Sequence, residues 1–163
     1  MARTQVVKYL GTLTTVATIF ASPAAALSGE QTLEFRLVTK AIDAKAVQAP
    51  NIEGRMLIAS NYFGVAYFKD GRVAVKDFIN AADLLRGKGS FKGYSTYTFE
   101  DGDTLVLSYV AESKETGLHG DYTVISGTGA YSNATGAGTF DSVPTKWTDD
   151  ASLFNVKIDV KTP

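Results

Sequence analysis

Apolar and polar side chains alternate with a period of two through most of this chain. Over 32–39, Leu33, Phe35 and Leu37 alternate with Glu34, Arg36 and Val38, the pattern of a half-buried strand. A second apolar run covers 55–60. Segments 64–69 and 72–78 flank Asp70-Gly71, a dipeptide suited to a two-residue hairpin turn. Segments 90–99 and 104–112 predict the next hairpin, turning at 100–103. A strand over 118–126 follows, then one over 139–143 that Pro144 ends, because proline cannot donate to a central ladder. The last, 153–161, sets Phe154, Val156, Ile158 and Val160 against Asn155, Lys157, Asp159 and Lys161. Two stretches break the alternation. The Ala-rich segment 40–50, ending in Pro50, reads as a loop with one helical turn, and 80–86 reads as a brief helix closed by Gly87 and Gly89. About eight closely spaced strands with turn chemistry between them predict an all-β fold, a single antiparallel eight-stranded β-barrel. A barrel of that size holds one small ligand inside.

The first 26 residues stand apart from this pattern. Arg3 and Lys8 form a basic start, 6–20 is largely apolar, and Ser22-Pro23-Ala24-Ala25-Ala26 supplies small residues before a cut after Ala26. That layout predicts a secretory signal peptide over 1–26 and a barrel domain over 27–163, secreted or periplasmic; an N-terminal membrane anchor is the alternative. No stable membrane span is expected once the signal is removed. Removal takes away two cations and no acid, so the formal charge moves from 16 − 17 = −1 to 14 − 17 = −3. Such a balance, with no cationic face, excludes nucleic acid as a partner. With no cysteine, an exported chain is held by its core alone, which favours a bacterial protein over a disulfide-rich animal module. A single histidine and no cysteine also disfavour a metal site, and no cofactor is expected.

The stretch after the sixth strand carries the most specific signal. Gly127-Thr128-Gly129-Ala130-Tyr131, followed by Ala134, Gly136 and Gly138, reads as a barrel corner in which Tyr131 is an aromatic plug. With Tyr94 to Phe99, Leu105 to Val110 and Tyr122 to Val124 leading into it, this corner resembles that of the allene oxide cyclase and dirigent barrel superfamily. The resemblance is good over 94–160 and by pattern only over 33–78. It implies an eight-stranded antiparallel barrel, frequently a trimer, around an apolar cavity. Plant allene oxide cyclases convert an oxylipin epoxide to a cyclopentenone without a cofactor, and dirigent proteins steer the coupling or cyclisation of phenolics. The implied partner is therefore an apolar or phenolic small molecule, and any catalysis a cofactor-free cyclisation or isomerisation working by orientation and excluded water. The resemblance also places the cyclases' catalytic carboxylate at Glu34 and a ligand-contacting tyrosine at Tyr109.

Other candidates come from the residues themselves. Tyr94, Tyr97, Tyr109 and Tyr122 lie on three strands, and inward-facing ones would give a cavity aromatic walls with phenolic donors. Strand parity puts Tyr97 with Phe91 and Phe99, and Tyr109 with Leu105 and Leu107, so both are expected inside. Glu53 and Arg55 share one strand face; they form either a charged pair at the barrel mouth that polarises a substrate oxygen or an ordinary exposed ion pair. His119 stands two residues from Asp121, as an acid–base pair or as a solvated histidine at a loop–strand junction. The acidic turn 100–103 lacks the spaced oxygen ligands of a calcium loop.

Two functional readings follow. In the first, the barrel holds an apolar small molecule and acts on it. In the second, it is a non-enzymatic scaffold for protein contacts or oligomer assembly, with a packed interior and an exposed apolar patch.

Overall fold

The computed structural model describes residues 29–147 and 150–163; the expected signal peptide lies outside the described residues. Eight strands follow one another as an antiparallel meander: β1 (Gly29–Gln48), β2 (Arg55–Phe68), β3 (Val73–Leu85), β4 (Lys88–Phe99), β5 (Thr104–Lys114), β6 (Gly117–Gly127), β7 (Thr135–Val143) and β8 (Ala151–Thr162). Pairing of β8 with β1 closes the barrel, with Leu33 opposite Ile158 and Phe35 opposite Val156. The fold is all-β, as the alternation predicts.

The expected segments 55–60 and 64–69 are one continuous strand, β2, and two further elements differ from expectation. Segment 80–86 is not a helix but the end of β3. Asn80, Ala82 and Leu84 point inward, while the outward Asp83 takes a bidentate ion pair from Arg55. Pairing on both sides, with β2 and β4, outweighs the helical preference of Ala and Leu. Segment 40–48 is likewise strand, continuing β1 after a register shift between Ala41 and Asp43. Past Lys40, β1 pairs with β2 alone, and nearly every residue there is exposed. A strand held by its ladder and not by a buried face shows no alternation, and Asp43 and Lys45 keep its open edge charged.

The interior divides into two halves. At one end Phe35, Phe68, Phe99 and Tyr131 fill the barrel, with ring centroids 4.5–5.4 Å apart along the series. Leu107, Ile158 and Val160 are fully buried around them, each contributing about 1.5–3 kcal/mol by removal from water. Tyr131 closes this end from a single 3-10 turn, Gly129–Tyr131, as the plug expected from the corner. Its hydroxyl accepts a hydrogen bond from Arg72 at 2.8 Å, and the Arg72 guanidinium lies over the Phe68 and Phe99 rings. The corner is fixed by Asp103, whose carboxylate accepts the Ala130 N–H at 2.7 Å. Gly129 has φ +55°, and a Cβ there would sit 1.6 Å from an Asp103 oxygen, so only glycine fits. The opposite half of the barrel is not filled.

Candidate functional site

A cavity of about 230 Å³ opens within that second half. Its lining comes from all eight strands, among them Leu37, Tyr62, Lys76, Phe78, Asn80, Tyr109, Ala111, Tyr122, Phe140 and Phe154. The walls are chiefly aromatic, with Tyr62 stacked on Phe78 and Tyr122 packed against Phe140. A small set of polar atoms converges on this apolar chamber, the usual composition of a ligand site.

The central polar atom is the Lys76 nitrogen. Lys76 shares the inward face of β3 with Ala74 and Phe78 and is 2% exposed. Among the described residues its one hydrogen-bond partner is the Tyr122 hydroxyl, at 2.6 Å, and no carboxylate pairs with it. Four aromatic rings surround it, with centroids 4.3 Å (Phe78), 5.0 Å (Tyr122), 5.1 Å (Tyr97) and 5.8 Å (Tyr109) away. Loss of hydration pulls the amine from its ordinary 10.5 down to about 7. Ring faces favour the cation, but by much less than the cost of complete burial. The lysine therefore exchanges its proton near neutral pH.

The phenols are its neighbours. Tyr97 and Tyr122 bring their hydroxyls to 3.4 Å, and burial raises both above the usual phenol range. Tyr109 crosses the chamber so that its hydroxyl lies 3.1 Å from both the Ile79 carbonyl and Asn80 Oδ1, donating to one at a time. Burial raises it too. Gly93 makes that crossing possible, since a Cβ there would meet the Tyr109 hydroxyl at 2.6 Å and the Ile79 carbonyl at 1.9 Å. Asn80 reaches on to Ser60 at 3.4 Å. The Ser95 hydroxyl, on the inward face of β4 two residues from Tyr97, is buried with no partner among the described residues.

Of the residues singled out in the sequence, Tyr97 and Tyr109 stand inside, and Tyr109 lines the cavity. The others stand elsewhere. Glu34 is on the outer face of β1 against the Lys69 ammonium, whose hydrogen bond holds the carboxyl below its ordinary value. Glu53 is exposed in the turn before β2, and Arg55 binds Asp83 on the outer face in place of Glu53. His119 is outward too, and its Nδ1 lies 2.7 Å from Asp141, its register partner on β7, and not beside Asp121. Parity is the reason for Glu34 and His119: on β1 and β6 the odd-and-even assignment that buries Phe35 and Tyr122 turns them to solvent.

Sequence reasoning missed Lys76, Asn80 and the pairing of Lys76 with Tyr122. The available signal was parity along β3, where Lys76 falls in register with Ala74, Phe78, Ala82 and Leu84. Val75 and Ile79 of the opposite face are apolar as well, and taking 80–86 as helix cut the pattern short.

Two larger depressions, about 940 and 750 Å³, lie along the outer face of β2–β6 and share Lys45, Ala59, Ala81, Lys92, Val110 and Asp121. They are larger than the interior chamber, and the second of them reaches its rim, being lined also by Ser60, Asn80 and Tyr109.

The class defined by this fold and chamber is a closed β-barrel with an aromatic, one-lysine interior site. No protein-family model and no curated protein matches the chain. Solved structures do. The pterocarpan synthase dirigent protein GePTS1 aligns with a TM-score of 0.53 at 17% identity, over 88% of this chain and 98% of that one. The pterocarpan synthase dirigent protein PsPTS1 aligns with a TM-score of 0.55 at 17% identity, over 81% and 94%. The barrel is dirigent-like in fold.

Proposed function

We propose that the protein binds a small phenolic molecule within the barrel, and that the binding chamber is the Lys76–Tyr122–Tyr109 cavity. The observation that carries this reading is the buried lysine, which faces aromatic walls and phenolic hydroxyls with no carboxylate among the described residues beside it. A bound phenol would place its ring among Phe78, Phe140 and Phe154 and its hydroxyl against the amine. The size of the chamber narrows the class further. At about 230 Å³ it falls below the roughly 300–1,000 Å³ of clefts for drug-sized ligands. A single-ring phenol suits it, whereas the oxylipin of allene oxide cyclases is too large. The two solved structures named above are dirigent proteins, in keeping with a phenolic ligand.

Any reaction here would be cofactor-free. The amine, near its midpoint at neutral pH, can take or return a phenolic proton while the chamber excludes water and fixes the ring. Export to the periplasm or medium is part of the same proposal, resting on the basic and apolar start of the chain. The test is calorimetric titration with 4-methylphenol of the wild type and of Ala111→Phe, which fills the chamber from β5. Binding by the wild type and its loss in a folded variant support the reading. Equal affinity in both, or no binding by the wild type, overturns it.

A specific observation favours a second role beside the first. On the outer face Ile79 pairs with Tyr94, at 54% and 58% exposure, and Leu57 and Val110 extend the apolar patch. We infer that this face supports self-association, with a trimer as the expected state, and sedimentation velocity of the wild type against Tyr94→Glu tests it.

A further inference from the structure

Imine formation by a lysine needs three things together. It needs a free amine, a proton carrier within hydrogen-bond reach of it, and a site poor enough in water that the imine persists. Lysines that serve only structure at such depth are held by a carboxylate, because an unpaired buried charge is costly. Among the described residues Lys76 is held by none, and its one hydrogen-bond partner is a neutral phenol.

We propose that Lys76 Nζ condenses with the carbonyl carbon of an aldehyde or ketone bound in the cavity, making the protein a carbonyl-capturing barrel. The inference deepens the reading above and rests on the chamber being a small-molecule site. In the step, the amine lone pair forms a C–N bond as the carbonyl π pair moves to oxygen. One amine hydrogen passes to that oxygen through the Tyr122 hydroxyl, which gives up its own proton and takes the amine's. The carbinolamine then breaks its C–O bond, and the second amine hydrogen leaves with the hydroxyl as water. The product is the imine, with Tyr122 returned to its starting state. Desolvation leaves much of the amine unprotonated at neutral pH, the form that attacks a carbonyl. The buried and unpartnered Ser95 hydroxyl adds a polar atom to the same interior. A ring-bearing aldehyde meets both demands of the chamber, aromatic walls for the ring and the amine for the carbonyl.

The experiment is reductive trapping. The full-length protein is incubated at pH 7 with 4-hydroxybenzaldehyde and sodium cyanoborohydride, and the labelled lysines are mapped by peptide mass spectrometry. Lys76 is expected to label more than about tenfold faster than any exposed lysine, because the chamber holds the carbonyl beside an amine that burial deprotonates. Lys76→Met, an apolar replacement that keeps the packing, should lose the fast phase and retain the slow surface labelling. Lys76→Arg should lose it too. Labelling of Lys76 no faster than that of Lys92 overturns the proposal. Titration with 4-methylphenol, which has no carbonyl, separates the two readings. If 4-methylphenol binds and Lys76 does not label, the carbonyl inference fails and the chamber stands. If neither occurs, both fail.

Discussion

The Lys76 amine stands 2.6 Å from the Tyr122 hydroxyl inside a closed barrel, with no carboxylate among the described residues to balance it. The pair joins β3 to β6 across the interior, so two strands that are not neighbours in the sheet meet through one hydrogen bond. Burying this amine costs stability, and its position at the cavity wall ties that cost to the site. The predictions below follow from that arrangement and from the packed end that supports it.

Stability should depend on pH through Lys76. The folded amine titrates at about 7 and the unfolded one at its ordinary 10.5. Between those values the unfolded chain holds the extra proton, so stability rises with pH across the window, by at most about 1.4 kcal/mol per unit. Below pH 7 both states are protonated and the penalty is constant. In urea titrations between about pH 6 and pH 9, below the range in which tyrosines ionise, wild type should gain stability relative to Lys76→Met as pH rises. Parallel curves would contradict the burial of an unpaired amine.

Tyr109→Phe should fold. It leaves the Asn80 side-chain oxygen and the Ile79 carbonyl without the phenolic donor, a loss of about 1–2 kcal/mol. Its affinity for 4-methylphenol should fall, because a polar wall of the chamber is lost. Denaturant midpoints and calorimetry read the two effects separately.

Glu34→Gln should leave both ligand affinity and the melting temperature unchanged. The carboxylate faces solvent beside Lys69, outside the wall that separates it from the chamber. A loss of binding in this variant would place the site on the outer face of β1.

Gly129→Val should destabilise by about 3 kcal/mol or more, since the residue combines a positive φ with the Asp103 carboxylate where a side chain would go. Thermal unfolding monitored by circular dichroism measures it. An unchanged midpoint would contradict the corner geometry.

The sequence made the barrel readable where one strand face is apolar and the other polar. Phe154, Val156, Ile158 and Val160 separate cleanly from Asn155, Lys157, Asp159 and Lys161, and the parity of Tyr97 and Tyr109 puts both inside as expected. The Gly127–Tyr131 corner was legible because its glycines answer to backbone conformation and close approach, which are local. Elsewhere the pattern fails for physical reasons. β1 past Lys40 buries neither face, so nothing alternates, and β3 is apolar on both faces, so a lysine within it could not be assigned inside or out. The role given to Glu34 came from resemblance, and its position on β1 is set by a parity that the resemblance did not fix. Ion pairs across strands were equally hidden: Arg55 with Asp83 and His119 with Asp141 are register relations, invisible until the pairing is known.

The most direct test of the account is a crystal structure of the protein soaked in 4-methylphenol. The account predicts the ring between Phe78 and Phe140 with its hydroxyl within hydrogen-bond distance of Lys76 Nζ or the Tyr122 hydroxyl. A chamber closed by side chains, or a ligand seated only on the outer face of β2–β6, would contradict it.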